Sequence, residues 1–276
     1  MRPALGGKFR RVELSGRTAL LTGATGGLGR AIAKALADRG AVLALSSRKG
    51  EELEALASEL PGDGHRSVVC DLAEPGAALR LLEEAGTVEV LIANAGLPAS
   101  GRLDGFSQEE IERALRVNLE SPVRMARELI PGMQDRGEGH LVFVSSISGK
   151  VATARASLYA ATKFGLRGFA LCLRDDLRDA GVGVSVISPG AIAEAGMFAD
   201  SGAKPPPGLG TGTPQEVAAA VVEAIERNRA EISVAPRRQR AVARLAMMAP
   251  ELSGRVAGRQ AARVADEIAR GQTGKR

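Results

Sequence analysis

Seven short runs of almost unbroken apolar residues mark the chain: RTALLTG (17–23), AVLALSS (41–47), RSVVCD (66–71), VEVLIANAG (88–96), HLVFVSS (140–146), GVSVISPG (183–190) and AEISVAP (230–236). Runs of this length without polar alternation read as strands covered on both faces. Between them, helical patterns occupy 27–39, 50–60, 75–85, 107–133, 158–180 and 214–228. Strictly alternating strand and helix predicts an α/β fold, a three-layer sandwich with a seven-stranded parallel sheet between helices. Its ligand crevice is expected at the C-terminal ends of the strands, where the strand order reverses. Residues 14–236 are predicted to form this domain, after an N-terminal segment 1–13 and before a helical tail 237–276. The Pro/Gly-rich stretch SGAKPPPGLGTGTP (201–214) reads as a lid or loop.

In the tail, Pro250 is expected to divide two helices. Leu252, Val256, Val264 and Ile268 share one side of the second helix, with Arg255, Arg259 and Arg263 as an adjacent basic ridge. Such a stripe suits docking on a subunit. Peripheral contact with an anionic membrane, or a solvated helix packed on its own domain, are the alternatives.

Composition narrows the function classes. Hydrophobic residues make up 45% of the 276, yet no run is long enough to span a membrane. The first residues lack an apolar secretion core, and Cys70 and Cys172 are too few for a disulfide framework or a metal site. A cytoplasmic protein without metal is expected. The net charge of +5 hides an uneven distribution: residues 235–276 hold ten Lys/Arg against three Asp/Glu. The body is therefore slightly acidic, which argues against nucleic-acid binding.

The candidate chemistry sits at strand ends. TGATGGLGR (22–30) follows the first strand and opens the first helix, with Gly23, Gly27 and Gly29 spaced so that backbone N–H groups can meet a pyrophosphate. No G-K-[ST] closes it, so it is not a Walker loop; a plain glycine turn is the alternative. The second strand ends in LSSRKG, without a carboxylate. Ser47 and Arg48 suit a 2′-phosphate, which favours NADP over NAD, unless Arg48 and Lys49 are only a solvated pair. Asp71 either holds an adenine amino group or caps the next helix. Tyr159, the only tyrosine, precedes Lys163 by one helical turn. A cation there is expected to lower the phenol's pKa toward a working range. Ser146 ends the fifth strand, where its hydroxyl can hold a carbonyl oxygen. Asn118 is a polar residue inside a helical stretch, explained otherwise by a local backbone hydrogen bond.

Together these residues resemble the short-chain dehydrogenase/reductase family over roughly residues 14 to 236. Its T-G-x-x-x-G-x-G is Thr22 to Gly29, its N-A-G is Asn94, Ala95 and Gly96, and its tetrad is Asn118, Ser146, Tyr159 and Lys163. The resemblance implies a Rossmann-type domain and metal-free hydride transfer between NADP(H) and a carbonyl/alcohol pair. It implies Tyr159 as acid–base, Ser146 orienting the substrate oxygen, Lys163 on the nicotinamide ribose and Asn118 holding a relay water. Further cofactor contacts implied are Thr25, Leu28, Leu72, Pro189, Gly190 and Ile192. A homodimer or homotetramer is also implied. An NAD-dependent alcohol dehydrogenase, or a non-catalytic nucleotide sensor, is the alternative reading.

One position departs from the family. Four residues after Gly190, where a threonine is usual, stands Glu194. Pocket walls are expected from Leu97, Ile147, Val151, Met197 and Phe198, so the substrate is expected to be apolar. Ile147, Met197 and Phe198 join Ser146 and Tyr159 as expected substrate contacts. Lys150 and Arg155 read as surface residues, and His65 and His140 as structural.

Overall fold

The computed structural model describes residues 12–203, 210–248 and 262–271. Seven strands form one parallel sheet: β1 (Thr18–Thr22), β2 (Val42–Ser47), β3 (Arg66–Val69), β4 (Val90–Ala93), β5 (Gly139–Val144), β6 (Val182–Pro189) and β7 (Glu231–Val234), in the order β3-β2-β1-β4-β5-β6-β7. The order reverses at β1, which pairs with β2 on one side and β4 on the other. The crevice between the C-terminal ends of β1 and β4 is therefore the switch point at which such sheets bind ligands.

The apolar runs follow from burial on two faces. Along β1, Ala19 and Leu21 belong to the core under α1 (Gly27–Ala37), whereas Leu20 belongs to the core on the opposite face. The second core is completed by α3 (Ala77–Ala85), by α5 (Ser121–Arg136) and by α6 (Ser157–Asp176). There Phe143 is fully buried, edge-on to Phe169 at 5.6 Å between ring centroids. The first core is completed by α2 (Gly50–Glu59) and α8 (Pro214–Glu226). Local chemistry fixes where helices begin. Before α4 (Gln108–Leu115) the Ser107 hydroxyl accepts from Glu110 N at 3.2 Å, and the Glu110 carboxylate accepts from Ser107 N at 2.9 Å. Thr213 and Glu216 repeat this reciprocal cap at α8.

The structure departs from the predicted pattern in two places. The helix expected over 107–133 is α4 and α5 joined by a π-helical turn, Arg116–Glu120, that contains Asn118. A short helix absent from the prediction, α7 (Met197–Asp200), follows β6. In the tail, α9 (Arg237–Met248) and a helix over 262–271 (α10) are present. Pro250, Leu252, Arg255, Val256 and Arg259 lie outside the described residues.

Candidate active site

The turn after β1 is shaped by atoms that exclude side chains. Gly23 has φ +67°, and a Cβ there would come within 2.9 Å of Ala95 Cα. A Cβ on Gly29 would overlap the Gly23 carbonyl oxygen, and one on Gly27 would overlap Ala195. Beneath the turn, Thr22 Oγ1 accepts from Asn94 N (3.1 Å) and Ala95 N (3.0 Å), while Asn94 Nδ2 donates to the carbonyls of Thr22 (3.0 Å) and Gly23 (3.2 Å). The Asn94-Ala95-Gly96 segment thus locks the loop to the next strand. No side chain caps α1, so its first N–H groups remain available to an anion.

A cleft of about 480 Å³ runs from this turn past Thr25, Leu28, Ser47, Arg48, Asp71 and Leu72. Ser47 Oγ accepts from Lys49 N at 3.1 Å, and the Arg48 side chain is 54% exposed, with its guanidinium 4.0 Å from Asp71. Asp71 also caps the following turn, accepting from Ala73 N at 2.9 Å, so both roles left open for it are compatible. A backbone-lined cradle that any Cβ would fill, continued by a hydroxyl and a guanidinium, fits a dinucleotide carrying a 2′-phosphate.

At the other side of the switch point, Ser146 follows β5 by two residues and caps a 3-10 turn, Ile147–Gly149, by accepting from Ser148 N at 3.1 Å. Tyr159 and Lys163 lie one turn apart on α6 and line the same pocket as Ser146. Burial pushes the Tyr159 phenol above its ordinary value, opposed by a hydrogen bond with Ser146. This corrects the expectation that Lys163 lowers it. The Lys163 ammonium is 5.8 Å from the ring centroid and donates instead to the Val144 carbonyl at 3.0 Å. Burial also pushes the Lys163 ammonium down to about 8. Asn118, fully buried in the π turn, clasps Leu97 in both directions: Oδ1 accepts from its N–H (2.7 Å) and Nδ2 donates to its carbonyl (3.0 Å).

The pocket beside these residues encloses about 250 Å³ and shares Leu28, Asn94, Pro98 and Met197 with the nucleotide cleft. Pro189, Gly190, Ile192, Ile147 and Phe198 line it. Leu97 lines the nucleotide cleft instead, and Val151 lines neither cavity. Ile192 turns its side chain into the core, bridging to Gly212. Glu194 is exposed on a groove between α1 and α8 and lines neither cavity. Lys150 is not a surface residue: its side chain is 12% exposed and bonded to Glu231 (2.9 Å) and Ser233 (2.7 Å). Glu231 is also clasped by Arg167 at 2.8 and 3.0 Å. Both histidines hold structure. His65 Nδ1 accepts from Leu43 N, and the buried His140 contacts Ser185 at 2.8 Å.

Four lining or supporting residues carried no signal in the chain's pattern. Pro98 and Ser100 line the pocket from the loop after β4. Ser145 donates to the Lys163 carbonyl at 2.9 Å, tying β5 to α6. Gln239 reaches the wall from α9. Ile268 was legible only as part of the apolar stripe; it faces this pocket.

The family model for short chain dehydrogenase matches residues 17–205. Ketoacyl reductase HetN of Nostoc is 35% identical over 227 residues, covering 80% of this chain and 79% of that protein. Dehydrogenase/reductase SDR family member 7B of mouse is 37% identical over 192 residues, which span 66% of this chain and 59% of that longer protein. Among solved structures, a short-chain dehydrogenase from Sphingobium yanoikuyae in complex with NADPH superposes with a TM-score of 0.72 at 27% identity, covering 79% of this chain and 87% of that one. A 3-ketoacyl-(acyl-carrier-protein) reductase from Brucella melitensis complexed with NADH gives 0.73 at 25% identity, covering 82% and 99%.

Proposed function

The chain belongs to the short-chain dehydrogenase family and is an oxidoreductase; from that premise we propose that it works with NADP(H) on a carbonyl/secondary-alcohol pair of an apolar small molecule. The observation that carries the reading is the junction of two cavities. One is backbone-lined with Arg48 at its end, and the other holds Ser146, Tyr159 and Lys163. The glycine turn and the N-terminus of α1 would hold the pyrophosphate, and Ser47 with Arg48 the 2′-phosphate. Bound there, the nicotinamide supplies or accepts the hydride.

The chain's own residues handle the oxygen and its proton. Ser146 Oγ donates to the substrate oxygen and fixes its position. Tyr159 Oη gives that oxygen a proton in reduction and takes it back in oxidation. Its raised pKa keeps the phenol protonated at neutral pH, the form needed for reduction. Lys163 Nζ, anchored on the Val144 carbonyl, would hold the ribose hydroxyls of the bound cofactor. Asn118 holds the Leu97 backbone at the rim. The apolar character of Ile147, Met197 and Phe198 favours a substrate with carbon surface around its carbonyl. The names of the Nostoc and Brucella proteins make 3-ketoacyl compounds a first choice within that class.

The test is a panel of ketones, 3-ketoacyl thioesters and secondary alcohols, each assayed with all four nicotinamide cofactors by absorbance. Turnover with NADPH or NADP⁺ on an apolar member is expected. NADPH binding without turnover of any member would leave a nucleotide sensor as the better reading.

A further inference from the structure

The matched family segment ends at residue 205, yet α10 is built into the wall of the catalytic pocket. Ile268 lines that pocket with Ser146, Tyr159, Met197 and Phe198. On the same side of the helix, Ala265 and Ala269 are buried, and small residues there let the backbone lie close to the domain. Two attachments fix the helix beside the pocket, on the loop after β5 and on the segment after α7. Toward the loop after β4 the helix leaves a cleft lined by Gly101, Arg102, Arg263 and Glu267. From the loop after β5, Arg155 pairs with Asp266 at 3.3 Å. After α7, the backbone of Gly271 abuts Ser201 so closely that a Cβ would overlap the Ser201 carbonyl oxygen. Arg155 itself holds φ +65°, uncommon for a residue with a side chain, while its carbonyl accepts from Gly101 N at 2.6 Å. That conformation joins two pocket loops at the residue that clasps the tail.

We infer that Ile268 is a specificity-determining residue, which closes the outer wall of the pocket and contacts the apolar part of the substrate beyond its reacting carbonyl. The inference rests on the reductase reading above. With Ser146 and Tyr159 engaged by the substrate oxygen, Met197, Phe198 and Ile268 present carbon surface to the rest of the molecule. Gln239 steadies the neighbouring wall, its Nε2 donating to the Gly210 carbonyl at 2.7 Å while its Oε1 lies against Gly190.

The experiment compares the full chain with Ile268→Ala and Ile268→Trp on straight-chain ketones of increasing length, reading KM and kcat separately. Ile268→Ala should raise KM for the long ketones roughly tenfold, the equivalent of losing the burial of about two methylenes. KM for the shortest ketone, kcat and the NADPH dissociation constant should stay within about twofold. Ile268→Trp should shorten the longest chain accepted. Hydrogen exchange supplies a readout that needs no turnover: a long-chain secondary alcohol added to the NADP⁺ complex should slow exchange over 262–271, and less so in Ile268→Ala. Turnover with an unchanged length profile in both variants, or no ligand-dependent protection of 262–271, would overturn the role of Ile268 while leaving the reductase reading intact. Protection without turnover of any carbonyl would instead sink the reductase reading and keep the contact.

Discussion

The two halves of the crevice are built from different materials. The nucleotide side is made of backbone: a glycine turn stitched to the next strand by Thr22 and Asn94, with its charged groups Arg48 and Asp71 in contact with solvent. The substrate side is made largely of side chains carried by several separate segments, among them the loops after β4, β5 and β6, the start of α6, and the tail. It also buries the Lys163 ammonium and half-buries the Tyr159 phenol. Backbone geometry tolerates no added atom, whereas a wall of side chains can be recut one residue at a time. On the proposed reading, the first half fixes a cofactor class and the second half selects among substrates.

The hardest way to break this contrast is Gly29→Ala. Its methyl would overlap the carbonyls of Gly23 and Ala24, and main chain cannot move aside as the end of a long side chain does. NADPH binding should become undetectable by titration, a loss of more than about a hundredfold, nearly 3 kcal/mol. Gly168→Ala, on α6 with nothing within 4 Å of the new atom, is the matched control and should leave affinity unchanged. Wild-type affinity in Gly29→Ala would mean that the turn is not the cradle.

On the opposite side, Tyr159→Phe removes one oxygen and keeps the ring. Cofactor affinity should persist, while kcat falls by about 10²- to 10⁴-fold, the usual contribution of general acid–base catalysis. A decrease of only a few fold, measured at saturating substrate, would remove Tyr159 from the proton path.

The buried lysine gives the substrate side a pH signature of its own. Lys163 titrates near 10.5 when unfolded and at about 8 in the fold, so between those values the unfolded chain holds the extra proton. Stability of the cofactor-free protein should therefore rise as pH climbs from about 8, by at most roughly 3 kcal/mol across the window. Above about 10 the raised pKa of Tyr159 acts in the opposite sense, because the folded state then keeps its proton longer. Urea unfolding between pH 8 and 9.5 is the measurement, and Lys163→Met should flatten the slope. An equal slope in wild type and variant would show that Lys163 remains charged.

How much of this was legible in the chain follows the same division. All seven strands and the glycine turn are local signals: an apolar run, or a spacing of three glycines, is written in consecutive residues. Tyr159 and Lys163 were legible because a helical turn brings i and i+4 together. The π turn at Asn118 left no such mark, since its cause is tertiary: the Asn118 side chain clasps Leu97, twenty-one residues earlier. Lys150 was misread for the same reason, because Glu231, its partner, comes from the last strand. Burial reversed the expected shift of Tyr159, and burial is a property of the assembled pocket rather than of spacing. The tail was readable as helix, but its apolar side could not announce which surface it meets.

The smallest expected effect tests whether the nucleotide side selects through charge as well as shape. Ser47 and Arg48 line the cleft at the end of β2, and the end of β2 itself carries no carboxylate to accept from a 2′-hydroxyl. A charge-assisted contact is worth roughly 1.5–3 kcal/mol, so NADPH should bind about ten- to a hundredfold more tightly than NADH. Because Arg48 is half exposed and stands 4.0 Å from Asp71, the lower end of that range is expected, and added salt should narrow the preference. Ser47→Asp should reverse it, repelling a phosphate and accepting from a hydroxyl, without altering the length profile of the substrate pocket. Equal dissociation constants for NADPH and NADH in the unmodified protein would show that Arg48 serves only the surface, and that the cleft recognises the dinucleotide through its backbone alone.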